Sequence, residues 1–321
     1  MARIVSLGSA LQDIYLIDRD DFVGAKIGEN SIFSQINIGS KVDIDNVSFE
    51  VGGGGTNAAA TFATHGHEAI FIGNIGRDPA GSAVIEAMDD LGVDTSYIHV
   101  TGRHKTGVSV IMLDAKSGER TILTCRGTSA RFSNLDENDL MTINPDWLYV
   151  TTLRGDMDTA LRFFERAKEL GTKIMWNPGK LEIAQKEKLL GLMQDVDVLL
   201  VNRSEAAQIV PGEIMEELMV HLGAYVQNVI ITCGSMGGIA TDGRKAYRFG
   251  IYEDVKVKDT TGAGDAFGSG FLAHLAAGNS FKDSLIFASA NSTSVVSILG
   301  AKHGILTGDE DLHPMPIQEI R

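Results

Sequence analysis

Cysteine is scarce: Cys125 and Cys233 are the only two in 321 residues. They lie far apart and have no partners at metal-ligand spacing, which excludes a disulfide framework and a zinc site and leaves two free thiols in a reducing compartment. Long apolar runs are absent too. The start, MARIVSLGSALQDIYLIDRDD, holds a short apolar run soon followed by charge, and nothing later approaches the ~18 apolar residues of a membrane span. A cytoplasmic protein without membrane contact is the expectation. Positive charge is in deficit, since 28 basic residues face 42 acidic ones for a formal net charge of -14. Nucleic-acid binding, which requires a basic face, is thereby disfavoured. An anionic substrate would have to be held by a local set of cations. The eight histidines are scattered without metal spacing, and His65 and His67, flanking a glycine at a helix end, read as caps. Internal repeats and low-complexity tracts are lacking.

What the sequence does contain is a rhythm. Short apolar, β-branched runs at 4–7, 69–72, 147–151, 173–176, 196–201 and 229–232 read as buried strands. Between them, 56–65, 80–91, 157–170, 183–193, 214–222, 265–277 and 281–299 carry helical periodicity. Phe163, Phe164, Phe267 and Phe271 fall on these helices at core-like intervals and are assigned to packing. Strand alternating with helix predicts an α/β fold whose mainly parallel sheet is covered on both faces. Two segments break the rhythm. Residues 31–51 and 100–123 alternate apolar and polar side chains around turn signals at Gly39-Ser40 and Lys116-Ser117-Gly118. They predict antiparallel strands gathered into a small projecting sheet, a lid or a dimerisation surface. A lid suits phosphoryl transfer, because water competes for the group.

The stretch 258–267, KDTTGAGDAF, sets two glycines and an aspartate where a loop becomes a helix. Gly262 and Gly264 admit backbone conformations closed to other residues and let a ligand come close. The first-turn amides lack internal partners and lie at the positive end of the helix dipole, so they suit a phosphate without any lysine. Asp265 would repel a resident phosphate, yet it is well placed to take a proton from a hydroxyl attacking one. The same residues also read as a loop with an ordinary capped helix start.

Gly52-Gly53-Gly54-Gly55-Thr56-Asn57 precedes an alanine-rich helix, and such a run is kept where the main chain approaches a ligand or a packed neighbour. It is neither a dinucleotide fingerprint, which follows a strand of the first βαβ unit, nor a P-loop, which needs Gly-Lys-Ser/Thr. Asn202 and Glu205 come just after a strand at the start of a helix. They suit hydrated Mg2+ beside a triphosphate, and equally a capping box. The turn of Thr232, Cys233, Gly234, Ser235, Met236 and Gly237 shapes either a nucleotide pocket or a plain reversal. Asp13, six residues past the first strand, binds substrate hydroxyls or is a solvated loop acid.

In this order the motifs resemble the ribokinase-like, or PfkB, family of carbohydrate kinases over about 4–301. DTTGAGDAF at 259–267 is similar to the family's C-terminal signature, and 52–57 with GNIGRDPAG at 73–81 to its N-terminal one. The resemblance implies a ribokinase-like three-layer αβα sandwich with a β-sheet lid, in a single domain over 1–321 with lid segments at about 10–50 and 98–130. It also implies an ATP- and Mg2+-dependent kinase acting on a hydroxyl of a sugar or sugar-like molecule. Asp265 matches the catalytic base, and Gly262, Ala263 and Gly264 the anion hole. Asn202 and Glu205 match the motif that organises Mg2+ and phosphate, with Glu205 acting through water. Thr232, Gly234, Ser235 and Gly237 match the turn contacting ATP, and Asn291 falls where relatives line the purine pocket. Asp13, Gly53, Gly54 and Asn57 match sugar-binding positions. Asp259 and Thr261 match part of a monovalent-cation site, so K+ is an implied activator.

One departure bears on substrate. Residues 152–156 read Thr-Leu-Arg-Gly-Asp where some members carry an acidic or apolar residue. Arg154, with Arg126 from the lid, can meet a carboxylate or phosphate on the sugar; paired with Asp156 or Asp158 it is a surface arginine instead. Two other functions stay open. One is a nucleoside kinase of the same superfamily, with Phe33 and Phe49 at a base pocket, and the other a non-catalytic sugar or nucleotide sensor.

Overall fold

The computed structural model describes residues 1–18, 25–26, 32–33, 39, 41, 43–114, 120–253 and 255–320. Its centre is a ten-stranded sheet. From one edge, Ile98–Thr101, Glu68–Gly76, Arg3–Leu7, Trp147–Val150, Lys173–Trp176, Val198–Asn202 and Asn228–Thr232 run parallel. Gly238–Thr241, Ala246–Phe249 and Ile317–Ile320 complete the other edge in antiparallel pairing.

Alternation across the pleat produces the layers. In Arg3–Leu7, Val5 and Leu7 enter one apolar cluster with Phe163 and Phe164 of the helix Met157–Leu170. Ile4 enters the other, with Phe62 of Gly54–Thr64 and Phe271 of Ala263–Ala276. Burial of both faces is why these strands read as nearly continuous apolar runs. The result is the expected αβα sandwich. The three antiparallel edge strands were not foreseen, since GIAT, AYRF and IQEI are short and lack the continuous apolar run that marks the parallel strands.

Several boundaries moved in informative places. The 183–193 helix divides into Lys180–Ile183 and Lys186–Met193, because Gln185 leaves helical geometry at φ -100 and ψ 51 and turns its amide to Gly155 O at 2.7 Å. The 265–277 helix begins at Ala263, which puts Asp265 in its first turn. The last long helix, Phe281–Val296, stops three residues short of 299 and frees the following turn to fold back. His65 and His67 do more than end a helix. His67 is held by Ala2 N at 3.1 Å and Ala273 O at 2.8 Å, and the His65 ring stacks on it beside His274 and Phe287.

A second sheet, in the order Asn46–Gly52, Leu11–Asp18, Gly107–Asp114 and Arg120–Cys125, forms the lid. The expected antiparallel pairing joins Asn46–Gly52 to Leu11–Asp18 and Gly107–Asp114 to Arg120–Cys125. One bound is corrected, since Val100 belongs to Ile98–Thr101 at the main-sheet edge, and one pairing is new, since Leu11–Asp18 runs parallel to Gly107–Asp114. The chain passes through the main sheet between those two strands, so no hairpin forces them antiparallel. Ser40 and Lys116-Ser117-Gly118 lie outside the described residues. The pleat places Asp13, Tyr15, Glu50 and Ser109 on one face and Ile14, Phe49, Val110 and Leu123 on the other. Asp13 and Tyr15 are buried, whereas Phe49 is 65% exposed. Among the described residues no helix is long and apolar enough to cross a membrane.

Candidate active site

The site forms where the parallel strands end, as open α/β sheets favour. Gly262 starts the helix Ala263–Ala276 with φ 76, and a Cβ there would come within 2.5 Å of the Ala301 Cβ. Glycine alone meets both demands. No side chain caps this helix, so its positive end opens into a cleft of about 320 Å3 lined by Gly262, Ala263, Gly264 and Asp265. Asn202 and Thr232 line it from the ends of the neighbouring strands, and Glu205 from the first turn of the helix Arg203–Ile209. Ala263 N already donates to Thr260 O at 3.3 Å, while the space beside Gly264 is open.

Asp265 is joined to the other glycine cluster. Asn57 Nδ2 donates to Asp265 Oδ2 at 2.8 Å. Burial pushes the Asp265 carboxyl above the usual aspartate range, opposed by that hydrogen bond and by the charge of Lys302. A carboxylate shifted upward is a better base near neutral pH. Gly54, at the start of Gly54–Thr64, approaches it closely: a Cβ there would stand 3.2 Å from both Asp265 Oδ1 and Thr151. Gly53 is the N-cap residue of that helix, and Ser9 fastens the turn through Gly54 N at 3.2 Å and Gly55 N at 3.1 Å.

Lys302 was missed in the sequence. Its Nζ donates to Val51 O at 2.5 Å, Thr56 Oγ1 at 3.1 Å and Asn57 Oδ1 at 2.6 Å. An ammonium only donates, so it fixes the Asn57 amide with its oxygen toward Lys302 and its nitrogen toward Asp265. Burial brings Lys302 down to about 7, against the pull of Asp13, Asp265 and Glu50. Its sequence signal is a lysine between glycines just past the last helix, in Gly300-Ala301-Lys302-His303-Gly304, where a loop can turn a side chain back into the fold.

Asp13 looks into the same space from the lid. Burial raises its carboxyl, with Ser109 and Lys302 opposing. Asp259 accepts from Tyr15 Oη at 3.0 Å, Thr261 N at 2.9 Å and Gly300 N at 3.4 Å, and so ties the lid to two loops. The Thr261 hydroxyl beside it is buried without a hydrogen-bond partner.

Asn202 and Glu205 do form the capping box: Glu205 N donates to Asn202 Oδ1 at 3.0 Å and Asn202 N to Glu205 Oε2 at 2.8 Å. They nonetheless line the cleft, so the cap also holds Glu205 in position there. Burial raises the Glu205 carboxyl against these bonds. Thr232 and Gly234 border an adjoining hollow, Ser235 is exposed on the turn, and Gly237 is buried beneath it. Asn291 is corrected. It is fully buried, with Nδ2 on Ala266 O at 2.8 Å and Oδ1 accepting from Leu306 N at 2.9 Å, so it joins two helices to the C-terminal segment and does not face a purine. Phe49 faces away from Asp13, which removes it from a base pocket beside that acid; the Phe33 side chain lies outside what is described. Arg154 follows the Trp147–Val150 strand at φ 58. Among the described residues no three His, Cys, Asp or Glu side chains gather to hold a metal ion.

The sequence and the fold both match known proteins. Residues 1–307 match the family described as pfkB family carbohydrate kinase. The ribokinase of Haemophilus influenzae is 29% identical over 279 residues, covering 83% of this chain and 88% of its own. The ATP-dependent ribose-1-phosphate kinase of Halopiger xanaduensis is 28% identical over 275 residues, covering 85% and 84%. The structure of Arabidopsis thaliana ribokinase complexed with ribose and ATP superposes with a TM-score of 0.76 at 24% identity, over 95% of each chain. A family match across nearly the whole sequence, on the fold just described, means that this chain belongs to the PfkB family of carbohydrate kinases.

Proposed function

We propose that the protein transfers the γ-phosphoryl group of ATP to a sugar hydroxyl, with Mg2+ on the nucleotide phosphates. The observation that carries this reading is the position of Asp265, which lines the cleft at an uncapped helix end and is bonded to Asn57 of the glycine turn. Bound MgATP supplies the phosphoryl group and neutralises its charge. Asp265 accepts the proton of the attacking hydroxyl, and the helix start at Gly262, Ala263 and Gly264 forms the anion hole, with the amides of Gly262 and Gly264 as donors while that of Ala263 bonds Thr260 O. Asp13 and Asn57, above Gly53 and Gly54, hold the sugar. Lys302 keeps the Asn57 amide oriented. Asn202 and Glu205 meet Mg2+ through water, a role supported by their place on the cleft beside the uncapped helix end. Thr232, Gly234 and Ser235 edge the nucleotide. The buried, unpartnered hydroxyl of Thr261 beside the Asp259 carboxylate supports K+ binding there.

A screen for ADP formation over pentoses, hexoses, sugar acids, sugar phosphates and nucleosides, with and without K+, tests the reading. Asp265→Asn is expected to lower kcat by about 10²- to 10⁴-fold with ADP affinity retained. Comparable turnover in that variant would sink the assignment.

A second copy of the chain is the proposed cover for the outer face of the lid, supported by Val47, Phe49 and Leu123 at 44%, 65% and 58% exposure. Light scattering should show a dimer that Phe49→Asp dissociates; a monomeric wild type refutes it. Free Cys125 and Cys233 support a cytoplasmic location.

A further inference from the structure

If the protein is the kinase proposed above, one buried polar side chain of the lid has a part in the reaction beyond packing. Tyr15 lies on Leu11–Asp18 two residues past Asp13, so the pleat turns both side chains to the same face of the lid. Both are buried. Phenylalanine would fill the space of the ring equally well, whereas a hydroxyl taken out of water needs a partner. Tyr15 Oη has one in Asp259 Oδ2, to which it donates at 3.0 Å. Asp259 is itself buried, and its backbone is tied down: Lys258 N and Asp259 N donate to Val296 O, at the end of the helix Phe281–Val296, at 2.8 and 3.2 Å. A carboxylate on a fixed backbone can still turn about its side-chain bonds. The phenol restrains that turn from the lid.

The same carboxylate grips the phosphate-side turn from two directions. Oδ1 accepts from Thr261 N at 2.9 Å, in the residue before Gly262. Oδ2 accepts from Gly300 N at 3.4 Å, in the residue before Ala301. Ala301 in turn stands against Gly262, where a Cβ would come within 2.5 Å of it. Gly262 starts the helix Ala263–Ala276 with φ 76, and Asp265 lies in the first turn of that helix. The direction of the first-turn amides and the place of Asp265 therefore both depend on how this turn is held.

We propose that Tyr15 is a positioning residue that acts through Asp259, coupling the lid strand that carries Asp13 to the helix start at Gly262. One strand then serves both reactants. Asp13 meets the sugar, and one pleat further on the phenol sets the carboxylate behind the anion hole. A hydrogen bond to a carboxylate is directional enough for this task, and small displacements of reacting groups are costly in rate.

Tyr15→Phe keeps the ring and removes the hydroxyl. With the sugar that gives most ADP in the screen above, kcat should fall about tenfold, while KM for that sugar and the affinity for ADP stay within about twofold. Asp259→Asn tests the route. In that background, loss of the Tyr15 hydroxyl should lower kcat by less than about twofold, because two groups acting in series do not add. Hydrogen exchange supplies a readout apart from turnover. The same sugar should slow amide exchange over 258–262 in wild type and leave it unchanged in Tyr15→Phe. A tyrosine that only packs would alter neither kcat nor this protection. Wild-type kcat in Tyr15→Phe, a loss confined to KM, an additive loss in the double variant, or equal protection in both proteins overturns the proposal. ADP formation by the wild type in that event keeps the kinase reading, whereas no ADP from any acceptor overturns that reading and the role of Tyr15 with it.

Discussion

Asn57 Nδ2 donates to Asp265 Oδ2 at 2.8 Å across 208 positions of sequence. The bond joins the two glycine clusters into one site, and Lys302 holds the far end of the same amide. In the proposed reaction, a sugar hydroxyl reaching Asp265 would meet a carboxylate whose orientation is already set, which is the preorganisation that proton transfer rewards.

Asn57→Leu keeps the volume and removes both bonds. A hydrogen bond to a charged group contributes about 1.5–3 kcal/mol, so kcat should fall about 10- to 100-fold. Steady-state kinetics with the accepted sugar check this, and an unchanged kcat would remove Asn57 from the relay.

Lys302 gives the reaction an alkaline limit. Its charged form, which donates to Asn57, persists below about 7, and Asp265 must be ionised to act as base. The kcat/KM of the free enzyme should therefore rise with pH through the elevated Asp265 carboxyl and fall above about pH 7. Lys302→Met should lower the plateau and abolish the alkaline limb. Stability runs the other way: the unfolded lysine keeps its proton up to its ordinary value while the folded one releases it, so stability gains as pH rises from about 7 toward 10.5.

Gly262→Ala should damage the helix start. Left-handed backbone costs a residue with a Cβ roughly 1–2 kcal/mol, and the new methyl would press on Ala301. A lower Tm with a loss of kcat larger than any loss of ADP affinity is expected. A variant with wild-type turnover would show that this turn does not place the reacting groups.

The histidines near the far end of the Gly54–Thr64 helix should make the protein acid-labile. Burial lowers His65, His67 and His274, and the His65 and His67 charges oppose one another. Folded rings stay neutral while the unfolded chain takes up protons below about pH 6.5, so stability is lost as pH falls through that value. Thermal melts from pH 8 to 5 should show a falling Tm, at about 2–4 °C per kcal/mol. His65→Phe, which keeps the packing against Phe287, should flatten part of that slope.

The outline of the fold was legible because each buried strand and each helix carries its own period. The short edge strands after Asn228–Thr232 mix polar with apolar residues over four positions apiece, so they show neither a continuous apolar run nor a sustained alternation. The lid was legible as alternation, yet the parallel pairing of Leu11–Asp18 with Gly107–Asp114 was not, since pairing direction depends on the path between strands. Asn291 misled because a buried amide that bridges backbone groups looks, in sequence, like one that faces a ligand.

The sequence by itself determined the chemistry: a glycine-gated helix start with Asp265 in its first turn is written in adjacent residues, so local rules of backbone conformation and helix ends suffice to read it. What the tertiary structure alone decided is how that aspartate is held and what stands across from it. Lys302 reaches Asn57 over 245 positions, and Tyr15 of the lid reaches Asp259 over 244. Contacts of that range follow from strand order and packing, which no local run of residues encodes.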